Sequence, residues 1–147
     1  MKTFLVNQNK KPVCKWGSLK DETFFEGNIP EGYKLAFCPS KGYVVIDVDV
    51  DLKNNKNGFL NIPLNLRLEL ESTYNYETKR KGRHYHFKYS GTKDLGNKTS
   101  PYSIDLRVGE KGYCILYNNE DIRKCQYLIK ETSEELNLWL EKLFSYI

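Results

Sequence analysis

Residues 43–51, Tyr-Val-Val-Ile-Asp-Val-Asp-Val-Asp, constrain the fold more than any other stretch. An apolar run opens the segment, and an acid then stands at every second position. In an extended strand alternate side chains share a face, so Val44, Ile46, Val48 and Val50 point one way and Asp47, Asp49 and Asp51 the other. One face asks to be buried while the other must tolerate three like charges. A hard divalent cation held by oxygen, Mg²⁺ or Mn²⁺, would neutralise such a face. A solvated acidic edge strand is the plainer alternative, and the segment alone leaves both open.

A chain of 147 residues suits one domain with its own core. Its formal net charge of +4, from 23 Lys+Arg against 19 Asp+Glu, permits a nucleic-acid or phosphate partner without demanding one. Local contrast says more: acids gather at 47–51 and 131–141, and bases dominate 79–88. No apolar run approaches the roughly 20 residues that span a bilayer, and the apolar start is too short for a signal peptide. Cys14, Cys38, Cys114 and Cys125 show no CxxC spacing, so free thiols in a reduced, cytoplasmic setting are expected. A zinc site assembled from distant cysteines is the alternative.

The rest of the chain reads as an α+β domain. Lys10-Lys11-Pro12 and Trp16 form a basic cluster with an aromatic, either a phosphate contact or an exposed turn with the Trp tucked inward. Residues 18–27 suggest a short helix capped by Ser18. Residues 34–38 and 43–51, joined by the turn Pro39-Ser40-Lys41-Gly42, suggest a first hairpin. Residues 61–72 are ambiguous: Leu64, Leu66, Leu68 and Leu70 alternate as in a strand, but Pro63 in a first turn and a stripe of Leu60, Leu64 and Leu68 favour a helix. Residues 73–78 and 84–89 predict a second hairpin around Arg80-Lys81-Gly82. Residues 104–108 and 113–117 predict a third around Gly109–Gly112. Residues 90–102 read as loop. From Ser133 to the end, Leu136, Trp139, Leu140, Leu143 and Phe144 predict an amphipathic helix.

The three hairpins carry the residues able to do chemistry. The first holds Asp47 and Asp49. The second holds Lys79, Arg80, Lys81, Gly82, Arg83, His84 and His86. The third holds Asp105 and Arg107. Carboxylates from separate strands can hold a pair of metal ions that share phosphate oxygens with a substrate. Arg, Lys or His then meet the remaining phosphate charge, and Gly82 permits close backbone approach. That is the logic of phosphoryl or nucleotidyl transfer. Taken singly, each residue has a plainer reading: a core histidine, a hairpin-end aspartate, a solvated basic turn.

The ordered set resembles the archaeo-eukaryotic primase superfamily, in particular the primase-polymerase domains of phages and mobile elements. The matching motifs are Lys10-Lys11-Pro12 with Trp16, Ile46-Asp47-Val48-Asp49, Thr78–Phe87 with Gly82 and His84, Ile104-Asp105-Leu106-Arg107, and Gly112-Tyr113. They span about residues 10–117. Lys81 stands where the first Gly of a Gly-Gly pair is usual, and Tyr117-Asn118-Asn119 replaces a Pro-Pro-Ser.

The resemblance implies an RRM-like catalytic core with an N-terminal α/β addition. It implies a single catalytic domain over 1–147, either standalone or part of a larger replication protein. Asp47, Asp49 and Asp105 would bind Mg²⁺ or Mn²⁺ in a two-metal site. His84 would contact the incoming triphosphate, with Arg83, Arg107, Gly82, Lys79 and Arg80 as further phosphate contacts. The implied activity is that of a DNA primase/polymerase, with nucleoside triphosphates and single-stranded or primed DNA as partners, and a replicative helicase as a further candidate. A non-catalytic binding module of the same fold and a metal-dependent nuclease are the alternatives. Asp51 becomes the spare acid, and the cytoplasm of a bacterial or phage-infected cell is the expected setting.

Overall fold

The computed structural model describes residues 1–117 and 121–144. In chain order its strands and helices are β1 (Lys2–Val6), β2 (Lys34–Cys38), β3 (Tyr43–Val48), β4 (Val50–Asp51), β5 (Lys56–Asn57), α1 (Leu64–Ser72), β6 (Asn75–Glu77), β7 (Arg83–Lys88), β8 (Lys98–Thr99), β9 (Ile104–Val108), β10 (Cys114–Ile115), α2 (Ile122–Cys125), β11 (Lys130–Glu131) and α3 (Glu134–Phe144). The α+β class expected from the sequence is what forms. No helix among the described residues is long and apolar enough to cross a membrane.

β3 lies at the middle of a six-stranded sheet ordered β11-β7-β3-β9-β8, with β6 pairing the first half of β7. Both neighbours of β3 run antiparallel to it. Alternation then divides the side chains as the sequence requires. Val44, Ile46 and Val48 pack with Leu66 and Leu70 of α1 and Leu136 and Leu140 of α3. The opposite face carries Val45 and the acids, and Val45 joins a second core with Phe37, Tyr74, Tyr76 and Cys114. A three-stranded sheet, β1-β2-β10, covers part of that face and leaves the acidic end open. The chain is therefore layered: helices, large sheet, small sheet.

The terminal helix follows its sequence signal. Ser133 Oγ accepts a hydrogen bond from Leu136 N at 3.1 Å, capping α3, and Glu134 and Glu135 occupy its first turn where the helix dipole favours them. Its expected continuation over 145–147 lies outside the described residues.

Several local expectations are corrected. Residues 34–38 and 43–48 are strands but not a hairpin, because β2 joins the small sheet and β3 the large one. β9 and β10 are divided in the same way, so only the second predicted hairpin, β6–β7, forms. Residues 18–27 are not a helix. A single 3₁₀ turn covers Trp16–Ser18, and the following backbone runs beside β1 through Thr3 N to Thr23 O (2.9 Å) and Glu22 N to Met1 O (2.6 Å). Edge pairing thus takes the hydrogen bonds a helix would have used. α1 forms, but Leu64 and Leu68 face outward at 80% and 85% exposure, and Leu60 is exposed beside them. Ile62, Leu66 and Leu70 make the buried stripe instead. Within the loop predicted at 90–102, Lys98–Thr99 forms the short strand β8. All four cysteines are free thiols, as expected.

Candidate metal centre

The hydrogen-bond register of β3 sets the centre. Asp47 lies opposite His84 on β7 and opposite Asp105 on β9, so the three side chains form one row across the sheet. Asp49 follows just past the end of β3. Its backbone is held by Asp49 N donating to Ser103 O (2.9 Å) and Gly58 N donating to Asp49 O (2.8 Å). Carboxylate oxygens of Asp47, Asp49 and Asp105 all lie within 4.8 Å of one another. The pairing of Asp47 with Asp105 across 58 positions of sequence is thus direct strand adjacency. Asp51 has turned away into β4 and accepts a hydrogen bond from Asn54 Nδ2 at 2.7 Å.

The residues fit a cation. Asp47 Oδ1 is buried and, among the described residues, accepts no hydrogen bond. A buried, unsatisfied carboxylate oxygen is costly unless a ligand completes it. Exclusion from water, followed by the charges of Asp47 and Asp105, pushes the Asp49 carboxyl up to about 7, even though its side chain keeps solvent contact. Burial likewise raises the Asp105 carboxyl, opposed by Arg107 and reinforced by Asp47. The cluster is thus crowded with negative charge and proton-linked. An all-carboxylate donor set suits a hard cation in preference to a soft one.

His84 stands behind Asp47 and is buried. Its Nε2 lies 3.3 Å from Asp47 Oδ1, an ion-pair distance without hydrogen-bond alignment, and its Nδ1 lies 3.1 Å from Tyr76 Oη. Burial works against charge on this ring, but the neighbouring Cys114 and Asp47 outweigh it and lift His84 to about 10. Tyr76 Oη also meets His86 Nε2 at 3.0 Å, and burial, then the charge on His84, drives His86 down to about 3. One proton arrangement satisfies all three groups: His84 Nδ1–H donates to Tyr76, and Tyr76 O–H donates to neutral His86. Nδ1 of His84 is therefore hydrogen-bonded inside the protein, while Nε2 faces Asp47 as an ion-pair partner.

Asp47 and Asp49 open into a cleft of about 690 Å³, and Asp105, clustered with them, is not part of its lining. Lys79, Arg80, His84 and Arg107, singled out in the sequence as candidate phosphate contacts, line it. Arg107 Nη2 sits 3.9 Å from Asp105 Oδ2. Arg83 does not line it. Alternation along β7 turns Arg83 to the other face, where its Nη1 donates to Asn75 Oδ1 at 2.6 Å. Gly82 is also absent from the lining and serves the fold: a Cβ there would lie 2.2 Å from Val48 O, so only glycine lets the 78–82 turn close against the end of β3. Lys81, where glycine is usual in the resembled motif, takes the left-handed conformation at φ 66°.

Tyr76, Cys114, Tyr117, Lys34 and Lys111 stand at the site as well, and no sequence motif marks them. Tyr76 was within reach, since closing the β6–β7 hairpin around residues 78–82 pairs it with His84. Lys10 and Trp16, from the basic and aromatic segment singled out in the sequence, line the cleft, and Lys34 and Lys111 reach it from remote segments with no local signal. The sequence matches no protein-family model, and no curated protein matches it significantly.

Proposed function

We propose that the chain is a metal-dependent nucleotidyltransferase of the primase-polymerase type, adding nucleotides to a primer or starting one on a single-stranded template. One observation carries the reading: a cluster of three carboxylates, of which Asp47 has a buried oxygen without a hydrogen bond, and Asp47 and Asp49 line a cleft walled by Lys10, Lys34, Lys79, Arg80, Arg107 and Lys111. Acids alone would suit any divalent cation. Acids facing a ring of cations suit a metal that shares its ligand with a polyanion, as a triphosphate does.

Asp47, Asp49 and Asp105 would hold Mg²⁺ or Mn²⁺, which supplies charge neutralisation at the attacking and leaving oxygens of an in-line displacement. Lys79, Arg80 and Arg107 take the triphosphate oxygens that remain. His84, with Nδ1 hydrogen-bonded to Tyr76 and Nε2 beside Asp47, orients Asp47 and offsets its charge, and it lines the cleft where a triphosphate would lie. The run β3–α1–β6–β7, with β9 on the other edge of β3, supports an RRM-like core, being most of a β-α-β-β-α-β plan. Residues 89–103, between β7 and β9, hold no helix, and α3 covers that face from the chain's end.

The test is extension of a labelled primer, and synthesis on an unprimed template, with nucleotides and Mg²⁺ or Mn²⁺. Elongation that disappears in Asp47→Asn is expected. No extension, no primer and no nucleotide binding would remove the proposal. Oligonucleotide binding indifferent to Asp47→Ala plus Asp49→Ala, without synthesis, would instead favour a non-catalytic module. Degradation of labelled strands without nucleotides would favour a nuclease.

A further inference from the structure

A second concavity lies between the two sheets, at the opposite end of β3 from the acids. It is a cavity of about 140 Å³ that shares no lining residue with the metal cleft. Met1, Phe37, Pro39 and Ile129 give it mostly apolar walls, and the exposed Glu22 and Gln126 stand at its mouth. His86, only 2% exposed, lines it as well. We propose that this cavity binds a small, uncharged, planar ring carrying one hydrogen-bond acceptor, to which His86 Nδ1–H donates. The site does not depend on the nucleotidyltransfer reading.

The imidazole is what calls for a ligand. Nε2 of His86 is occupied by Tyr76 Oη at 3.0 Å, and Nδ1 has no hydrogen-bond partner among the described residues. Among those residues Asp47 Oδ1 is the only fully enclosed side-chain nitrogen or oxygen without a partner, so Nδ1 is not enclosed and meets open space. The space against His86 is this cavity. Because Tyr76 O–H donates to Nε2, the ring's own hydrogen sits on Nδ1 and makes it a donor. A donor left without an acceptor at such a depth is costly, and an acceptor inside the cavity removes that cost.

Size, polarity and charge then narrow the ligand. An apolar cavity of about 150 Å³ takes a ring the size of benzene. The Phe37 ring centre lies 5.3 Å from that of His86, so a flat guest meets aromatic walls. Burial, then the charge on His84, holds His86 down at about 3, so the ring stays neutral and offers an anion no counter-charge. Glu22 is the one carboxylate in the lining, and it is paired with the Met1 ammonium at 3.0 Å, which leaves a cationic guest no free acid. One water would meet Nδ1, but apolar walls give it too few further partners. A single polar group set among apolar walls is the usual form of a small-molecule site.

The test is a pair of isosteric rings, pyridine and benzene, titrated into the metal-free protein in EDTA at neutral pH and followed by nitrogen-15 NMR of the His86 side chain. Pyridine, uncharged there, is expected to shift the His86 Nδ1 resonance and to bind on the order of tenfold more tightly than benzene, which leaves Nδ1 unpaired. His86→Phe should erase that preference while benzene still binds. Ile129→Trp, which fills the cavity near its mouth, should abolish binding of both rings and leave Mn²⁺ binding at the triad unchanged. Equal affinity for the two rings, or a preference that survives His86→Phe, would overturn the site. So would pyridine shifts that map away from His86, or no shift at tens of millimolar pyridine, which would leave the cavity to water only.

Discussion

Replacing Asp49 by Asn should stabilise the metal-free protein at pH 8 while abolishing its response to Mg²⁺. The carboxylate oxygens of the triad lie within 4.8 Å, where two unit charges repel by about 3.5 kcal/mol at an effective dielectric of 20. Asp49 keeps solvent contact, and screening leaves about 1 kcal/mol of that. For a domain of this size the change in melting temperature is about 3 °C. The pH sign follows from the raised carboxyl, at about 7 in the fold against an ordinary 3.8. Between those values the folded state holds a proton that the unfolded chain has released. Its stabilising contribution is full below about pH 4 and is lost as pH rises through about 7. Thermal melts in EDTA at pH 5 and pH 8 should therefore show wild type losing stability that Asp49→Asn keeps. Adding Mg²⁺ at pH 8 should raise the wild type only. Parallel pH profiles, or a variant less stable than wild type at pH 8 without metal, would refute the electrostatic account.

Other outcomes follow from the same geometry. Leu70→Ala should cost roughly 2–5 kcal/mol in denaturant unfolding, whereas Leu68→Ala, on the exposed face of the same helix, should stay within about 0.5 kcal/mol. Gly82→Ala should cost on the order of 2–3 kcal/mol, since its Cβ would press on the Val48 carbonyl, which is backbone and cannot swing aside. Tyr76→Phe leaves His84 Nδ1 and His86 Nε2 without their shared partner; nitrogen-15 NMR should show His84 Nδ1 losing its hydrogen-bond shift while Cys114 and Asp47 keep the ring protonated, and Mn²⁺ affinity should fall several-fold.

The acidic strand was legible because its period of two has one physical meaning: Val44, Ile46 and Val48 are buried and Asp47 and Asp49 face the other way. The union of Asp47 with Asp105 was legible from motif order, and strand register accounts for it. The first and third hairpins were misread because a tight turn reports only that the chain reverses. It does not report which sheet each strand joins. Here the two turns hydrogen-bond to each other's surroundings, Glu110 N to Pro39 O (2.9 Å) and Gly109 N to Tyr43 O (2.8 Å), and each links the large sheet to the small one. α1 carries leucines on both faces, so helical period could not choose between Leu64 with Leu68 and Leu66 with Leu70; packing against β3 and α3 does. The cations Lys34 and Lys111 had no signal at all, because they meet the acids only after the two sheets close.

The most direct measurement is anomalous diffraction from a crystal soaked with Mn²⁺ and a nonhydrolysable nucleoside triphosphate. The account predicts manganese peaks within coordination distance of Asp47, Asp49 and Asp105, with triphosphate density extending toward Lys79, Arg80 and Arg107. Manganese absent from these three carboxylates, or triphosphate bound away from them, would contradict it.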